Sequence, residues 1–210
     1  RDESRYLEHG QFILATRKTG KQSATYRMSA SRNDFEKKSS NYLGKIKASE
    51  LTGAYTLVDA GKNPKKIDAW DKDDAGGSVG TRQTLAEISF SKPADKRLPD
   101  LRNVKLPPTE HRLQTMPPQV DSHGKLTQDF NGRVRKISVK NFMLEDAACP
   151  GKCVILFGRV SKDTFALDYC APLNAMQAFA LAMTSFSELS RRFGRGMAGL
   201  GTRGGGSDSD

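Results

Sequence analysis

Two groups of cations stand close together near the start of the chain. TRKTGK carries Arg17, Lys18 and Lys21, and GKIK carries Lys45 and Lys47. Several such side chains converging on a rigid surface can hold a phosphate group, lysine as a point charge and arginine through its planar fork. That chemistry requires the two stretches to lie on neighbouring strands. In NYLGKIKAS, the two-residue period of a strand places Leu43, Lys45 and Lys47 on one face and Gly44 and Ile46 on the other. The competing reading is an ordinary solvated charged face.

Other chemistries find less support. His9, His111 and His123 sit in unrelated polar contexts, and no serine or cysteine can be tied to a base. The expectation is therefore a protein that is not an enzyme. Cys149, Cys153 and Cys170 are too few to complete a metal site, so no metal or cofactor is expected. Three cysteines without regular spacing also argue for a reducing compartment over a disulfide scaffold. Gly194, Gly196 and Gly199 spell G-x-G-x-x-G, but they follow a helix instead of a strand and read as chance. Arg203-Gly204-Gly205 hints at arginine–glycine segments that bind RNA, but one such triplet is thin evidence and a solvated linker is the better reading.

With 34 Lys and Arg against 24 Asp and Glu, the 210-residue chain has a formal net charge of +10. Such an excess points to a polyanionic partner, either an anionic lipid surface or nucleic acid. No secretory leader is visible, and a chain that begins at Arg1 reads as a fragment.

The elements that must position these residues read mostly as strands. Short apolar or alternating runs appear at Gln11–Thr16, Tyr26–Ser29, Gly53–Gly61 and Thr84–Phe90, with one short strand at most around Leu101–Leu106. RVRKISVKNFML predicts a long strand. KCVILFGRV and DTFALDY predict a hairpin turning at Ser161-Lys162. One helix stands out. From Ala175 to Met183 every residue except Gln177 is apolar, and Asn174 with Gln177 has the spacing of a capping box. A helix apolar on every side is buried or transmembrane, and this one falls short of the ~20 residues a span needs. The simplest arrangement is a mainly β protein closed around that helix, with residues 1–193 as one domain and 194–210 as a Gly-rich disordered tail.

FNGRVRKISVKNFML and VILFGRVSKDTFALDYCAPLNAMQAFALAMTSF closely resemble the C-terminal domain of the tubby family. FILATRK, YLGKIKASELTGAYTLVDAGKNPKK and TLAEISF resemble it in the same order. The resemblance implies a closed antiparallel β-barrel of about twelve strands around a central hydrophobic C-terminal α-helix. It also implies binding of phosphoinositides, notably phosphatidylinositol 4,5-bisphosphate, by basic residues on one outer face. Arg17 and Lys18 match the family's Arg-Lys run, with Lys21 standing in for its later cation. Gly44, Lys45 and Lys47 match its Gly-Lys-x-Arg strand, with lysine replacing arginine at 47. After Phe186 the chain reads SELSRRFGRG where members usually carry Asp-x-Lys-x-Ala-Cys-Glu. The expectation is a monomeric membrane-recruitment module, cytoplasmic and peripheral at the plasma membrane, with cilium or nucleus as further locations. The alternatives are a nucleic-acid-binding, transcription-related module and a ciliary cargo adaptor.

Overall fold

A computed structural model describes residues 11–19, 25–49, 52–64, 80–94 and 100–186. The predicted tail and Lys21 lie outside these residues. Strands β1 (Ala15–Thr19), β2 (Thr25–Ser29), β3 (Tyr42–Ala48), β4 (Tyr55–Asp59), β5 (Thr84–Ser91), β6 (Leu101–Lys105) and β7 (Arg112–Thr115) follow one another in sequence. Then come β8 (Gln119–Val120), β9 (Leu126–Thr127), β10 (Phe142–Asp146), β11 (Cys149–Arg159) and β12 (Phe165–Tyr169), and last the helix α1 (Ala175–Thr184). Ten strands form one antiparallel sheet in the order β1-β2-β3-β4-β5-β6-β7-β10-β11-β12, and β8 with β9 makes a separate ribbon. Among the described residues no ladder joins β1 to β12.

The core lies between the sheet and α1. Alternation along β3 buries Tyr42, Gly44 and Ile46 and leaves Leu43, Lys45 and Lys47 on the other side, as the sequence period predicts. No residue of α1 is exposed, and Ala178, Ala180 and Leu181 have no accessible surface. Its alanines let strands approach closely, and a fully buried Leu181 contributes about 2 kcal/mol through apolar burial. The predicted capping box is present: Gln177 N donates to Asn174 Oδ1 at 2.9 Å, and Asn174 N donates to Gln177 Oε1 at 3.0 Å. The helix packs against β4 and β5 and also against β12, at the far end of the strand order. Gln177 Nε2 donates to Leu85 O on β5 at 2.9 Å, and Phe186 just beyond the helix meets the Phe157 ring of β11 edge-on. The sheet therefore wraps around α1. Among the described residues no helix is long and apolar enough to cross a membrane.

Three strand expectations are corrected. The first strand begins at Ala15 instead of Gln11, which puts Arg17 and Lys18 inside it. The apolar run ahead of it contributes only in part to the core: Leu14 packs against it, whereas Ile13 is exposed and Phe12 lies under the guanidinium of Arg32. The long strand predicted over RVRKISVKNFML reduces to β10, because a turn at Asn131 and Gly132, both at positive φ, leads into an irregular segment. There Arg135 N and Lys136 N both donate to Arg159 O instead of to a strand ladder. The β11–β12 hairpin is wider than a two-residue turn: Val160 N donates to Thr164 O, and Arg159 Nε donates to Ser161 O inside the loop. Strands β7, β8 and β9 have no counterpart in the sequence reading.

Candidate anion-binding site

The register of the first three strands decides which cations meet. Arg17 lies opposite Arg27, and Arg27 lies opposite Lys45, so these three form one row across β1, β2 and β3. Directly opposed residues share a face, and neighbouring strands lie about 4.8 Å apart, so the row spans roughly 10 Å. Lys47 sits two positions along β3 on the same side, opposite Thr25 and Thr56. Lys18 lies opposite Tyr26, itself opposite the buried Ile46, so it belongs to the other face of the sheet at its edge strand. This corrects the expectation that Lys18 shares a surface with Lys45 and Lys47; Arg17 takes that position. Lys21 lies outside the described residues.

The loop between β2 and β3 forms a platform over this face. Asp34 accepts hydrogen bonds from Ser39 Oγ, Glu36 N and Asn41 Nδ2, which hold its carboxyl below the usual carboxylate range. Phe35, which follows it, is buried. The Arg17 guanidinium stacks 4.4 Å from the Phe35 ring centre, and Arg27 Nη1 donates to Phe35 O at 3.2 Å. The loop thus orients both arginines of the row.

The other side is built around Gly44 and Arg82. A Cβ on Gly44 would stand 2.2 Å from Val58 O and 2.8 Å from Met176 Cε, and its φ is +148°. Only glycine lets β3 lie this close to β4 and α1. Asp59 Oδ1 accepts from Gly61 N and Gln83 N, both at 3.0 Å, and Arg82 N donates to Lys62 O at 2.7 Å. These bonds fix Arg82 just ahead of β5. Its Nε is buried and has no hydrogen-bond partner among the described residues.

The electrostatics converge on Lys45. Its pKa is pushed down to about 8, first by burial and then by the positive charges of Arg82, Lys47, Lys37 and Arg27. Among the described residues no carboxylate lies within ion-pair distance of Arg27, Lys45, Lys47 or Arg82. A half-buried ammonium crowded by like charges, with no anion of its own, is a site that an external polyanion would relieve. Two ammonium groups and two guanidinium forks suit a ligand carrying several phosphate oxygens. Among the described residues no cluster could hold a metal ion.

The sequence reading missed Arg27, Lys37 and Arg82. Arg27 sits in the alternating run Tyr26–Ser29, so its face is readable, but its alignment with Lys45 depends on register. Arg82 reaches Lys45 across a connection of more than twenty residues, and no local pattern signals that.

The profile of the Tub family matches residues 2–123 and 109–188. Tubby-related protein 1 of Mus musculus is 32% identical over 208 residues, covering 83% of this chain and 37% of that protein. Tubby protein homolog 1 of Caenorhabditis elegans is 30% identical over 213 residues, covering 83% of this chain and 48% of its own length. Tubby-related protein 3 of Homo sapiens is 32% identical over 210 residues, covering 83% of this chain and 46% of its own length. The chain thus spans less than half the length of these curated relatives. A match over most of its residues, with a large antiparallel sheet wrapped on one buried C-terminal helix, makes this chain a member of the Tub family.

Proposed function

We propose that the chain is a non-enzymatic membrane-recruitment module that binds phosphoinositides, with phosphatidylinositol 4,5-bisphosphate as the preferred headgroup, and tethers a larger protein to the cytoplasmic leaflet. The carrying observation is the surroundings of Lys45: four other cations around a half-buried ammonium and, among the described residues, no carboxylate within ion-pair distance of it. Membership of the Tub family, generally associated with phosphoinositide binding, supports the same reading. Each cation at an anionic leaflet is worth about 1 kcal/mol, so four supply roughly a thousandfold preference before any specific headgroup contact. We further propose that the sheet closes into a full barrel around α1. This draws on the absence of an exposed residue in the helix and on its contacts with both β4 and β12.

The test is co-sedimentation with phosphatidylcholine vesicles, with and without the bisphosphate lipid. Lys45→Ala with Lys47→Ala is compared with Lys125→Ala plus Lys152→Ala, two exposed lysines elsewhere. The first pair is expected to remove most binding to the bisphosphate vesicles, and the second to leave it within about twofold. Equal losses would leave only a general charged surface. A duplex DNA competitor in the same assay addresses the nucleic-acid alternative: displacement at equal phosphate concentration would favour it.

A further inference from the structure

The segment 133–141, read from sequence as part of a long strand, presents its alternating aliphatic residues to solvent. Ile137 is 103% exposed and Val139 is 80% exposed. They stand two residues apart in a segment with four basic residues, Arg133, Arg135, Lys136 and Lys140, and no acidic one. The segment is held firmly. Val134 occupies the space above Gly158, where a Cβ would come within 2.1 Å of it. Asn141 Nδ2 donates to Lys136 O and Asn141 Oδ1 accepts from Arg159 N, both at 2.9 Å, while Arg133 forms a bidentate ion pair with Asp168. Lys140 Nζ lies 4.5 Å from the Phe186 ring centre, tying the segment to the end of α1.

Two aliphatic side chains displayed on an anchored loop gain nothing for the fold. A local pattern that contradicts its setting is a mark of a functional surface. The charge around them selects the occupant. Aliphatic tips on a segment of net positive charge match an anionic bilayer, whose hydrocarbon takes the tips while its surface potential attracts the segment. A second copy of a chain with net charge +10 would set like charges against this loop.

We propose that residues 133–141 form a membrane-insertion loop, with Ile137 and Val139 entering the interface of an anionic glycerophospholipid bilayer. This rests on the preceding reading only in taking a membrane as the partner; it needs no inositol headgroup.

The experiment therefore uses phosphatidylcholine vesicles containing phosphatidylserine and no phosphoinositide, at low salt. Ile137→Ser with Val139→Ser is expected to weaken vesicle binding about tenfold or more, since two apolar side chains lose their transfer into the interface. Its melting temperature should match the original chain, because both positions are exposed. Ile137→Trp is expected to show emission quenched by lipids brominated on the acyl chains, beyond that of the original chain, whose single tryptophan is Trp70. Three outcomes would overturn the proposal: unchanged binding of the double serine variant, no added quenching in the Ile137→Trp variant, or no binding of the original chain to these vesicles. A double serine variant that binds vesicles normally but loses self-association would instead assign the loop to contacts between copies. Failure of the headgroup site would appear separately, as Lys45→Ala with Lys47→Ala leaving bisphosphate binding intact while the loop still inserts.

Discussion

Lys45 and Arg102 are both desolvated cations, and they differ in what fills their surroundings. Burial pushes Arg102 down to about 9, still charged at neutral pH. Its guanidinium lies 3.8 Å from the Phe142 ring centre and 5.4 Å from that of Phe90, and Nη2 donates to Ser185 Oγ at 2.9 Å. Ring faces and the C-terminal end of α1 take up its charge, so the residue fastens the helix to β6. Lys45 has cations for neighbours, and one side of it is open to solvent. The contrast shows how a buried charge that serves the fold differs from one that serves a ligand. The first is surrounded by groups that accept it, and the second by groups that repel it.

The largest effect is expected on the core side of this contrast. Ala180 has no accessible surface, and a carboxylate placed there has neither water nor a cation prepared for it. Ala180→Asp should abolish the cooperative melt, since burying such a group costs several kcal/mol, comparable with the stability of a domain. A soluble variant with a sharp thermal transition would mean that α1 is not enclosed.

Arg102→Ala should come next. It removes the Ser185 bond and both ring contacts and leaves a cavity, a loss of about 3 kcal/mol. For a chain of this size that corresponds to roughly 10 °C in melting temperature. Below the transition, binding to bisphosphate vesicles should be unchanged. Lys45→Ala should show the reverse: weaker binding, with a melting temperature equal to or above that of the original chain, because it relieves repulsion. If both variants lost stability alike, the division between fold-serving and ligand-serving cations would fail.

What was legible in the sequence follows the range of the interactions. The α1 helix was readable because its apolar run and its Asn174–Gln177 cap are local, and the facing of Lys45 and Lys47 because alternation in β3 is local. The 133–141 segment misled because Ile137 and Val139 have a strand's alternation, whereas the docking of Val134 on Gly158 is remote in sequence. The site was half legible for the same reason. Lys45, Lys47 and Arg17 came from motif and period. The displacement of Lys18 to the other face, and the arrival of Arg27 and Arg82, depend on register and on the Asp59 hydrogen bonds.

The smallest and most discriminating effect is a pH dependence. In the free protein Lys45 loses its proton around pH 8, while an unfolded lysine holds it to about 10.5. Between those values the unfolded chain binds more protons, so the contribution of Lys45 to stability rises with pH across the window. Headgroup binding runs the other way, because the ligand needs the charged ammonium. Phosphomonoester groups are already fully ionised above about pH 7.5, so the ligand gains no compensating charge. Affinity should therefore hold from pH 6.5 to 7.5 and fall about tenfold by pH 9 if the contact requires protonated Lys45. Lys45→Arg keeps its charge throughout and should flatten the profile. Arg102 titrates at higher pH and away from the ligand, so Arg102→Ala should leave the slope unchanged. Co-sedimentation with bisphosphate vesicles at constant ionic strength checks all three chains. A flat profile for the original chain, or an equal slope for Lys45→Arg, would remove Lys45 from the ligand contact and assign its crowding to the fold alone.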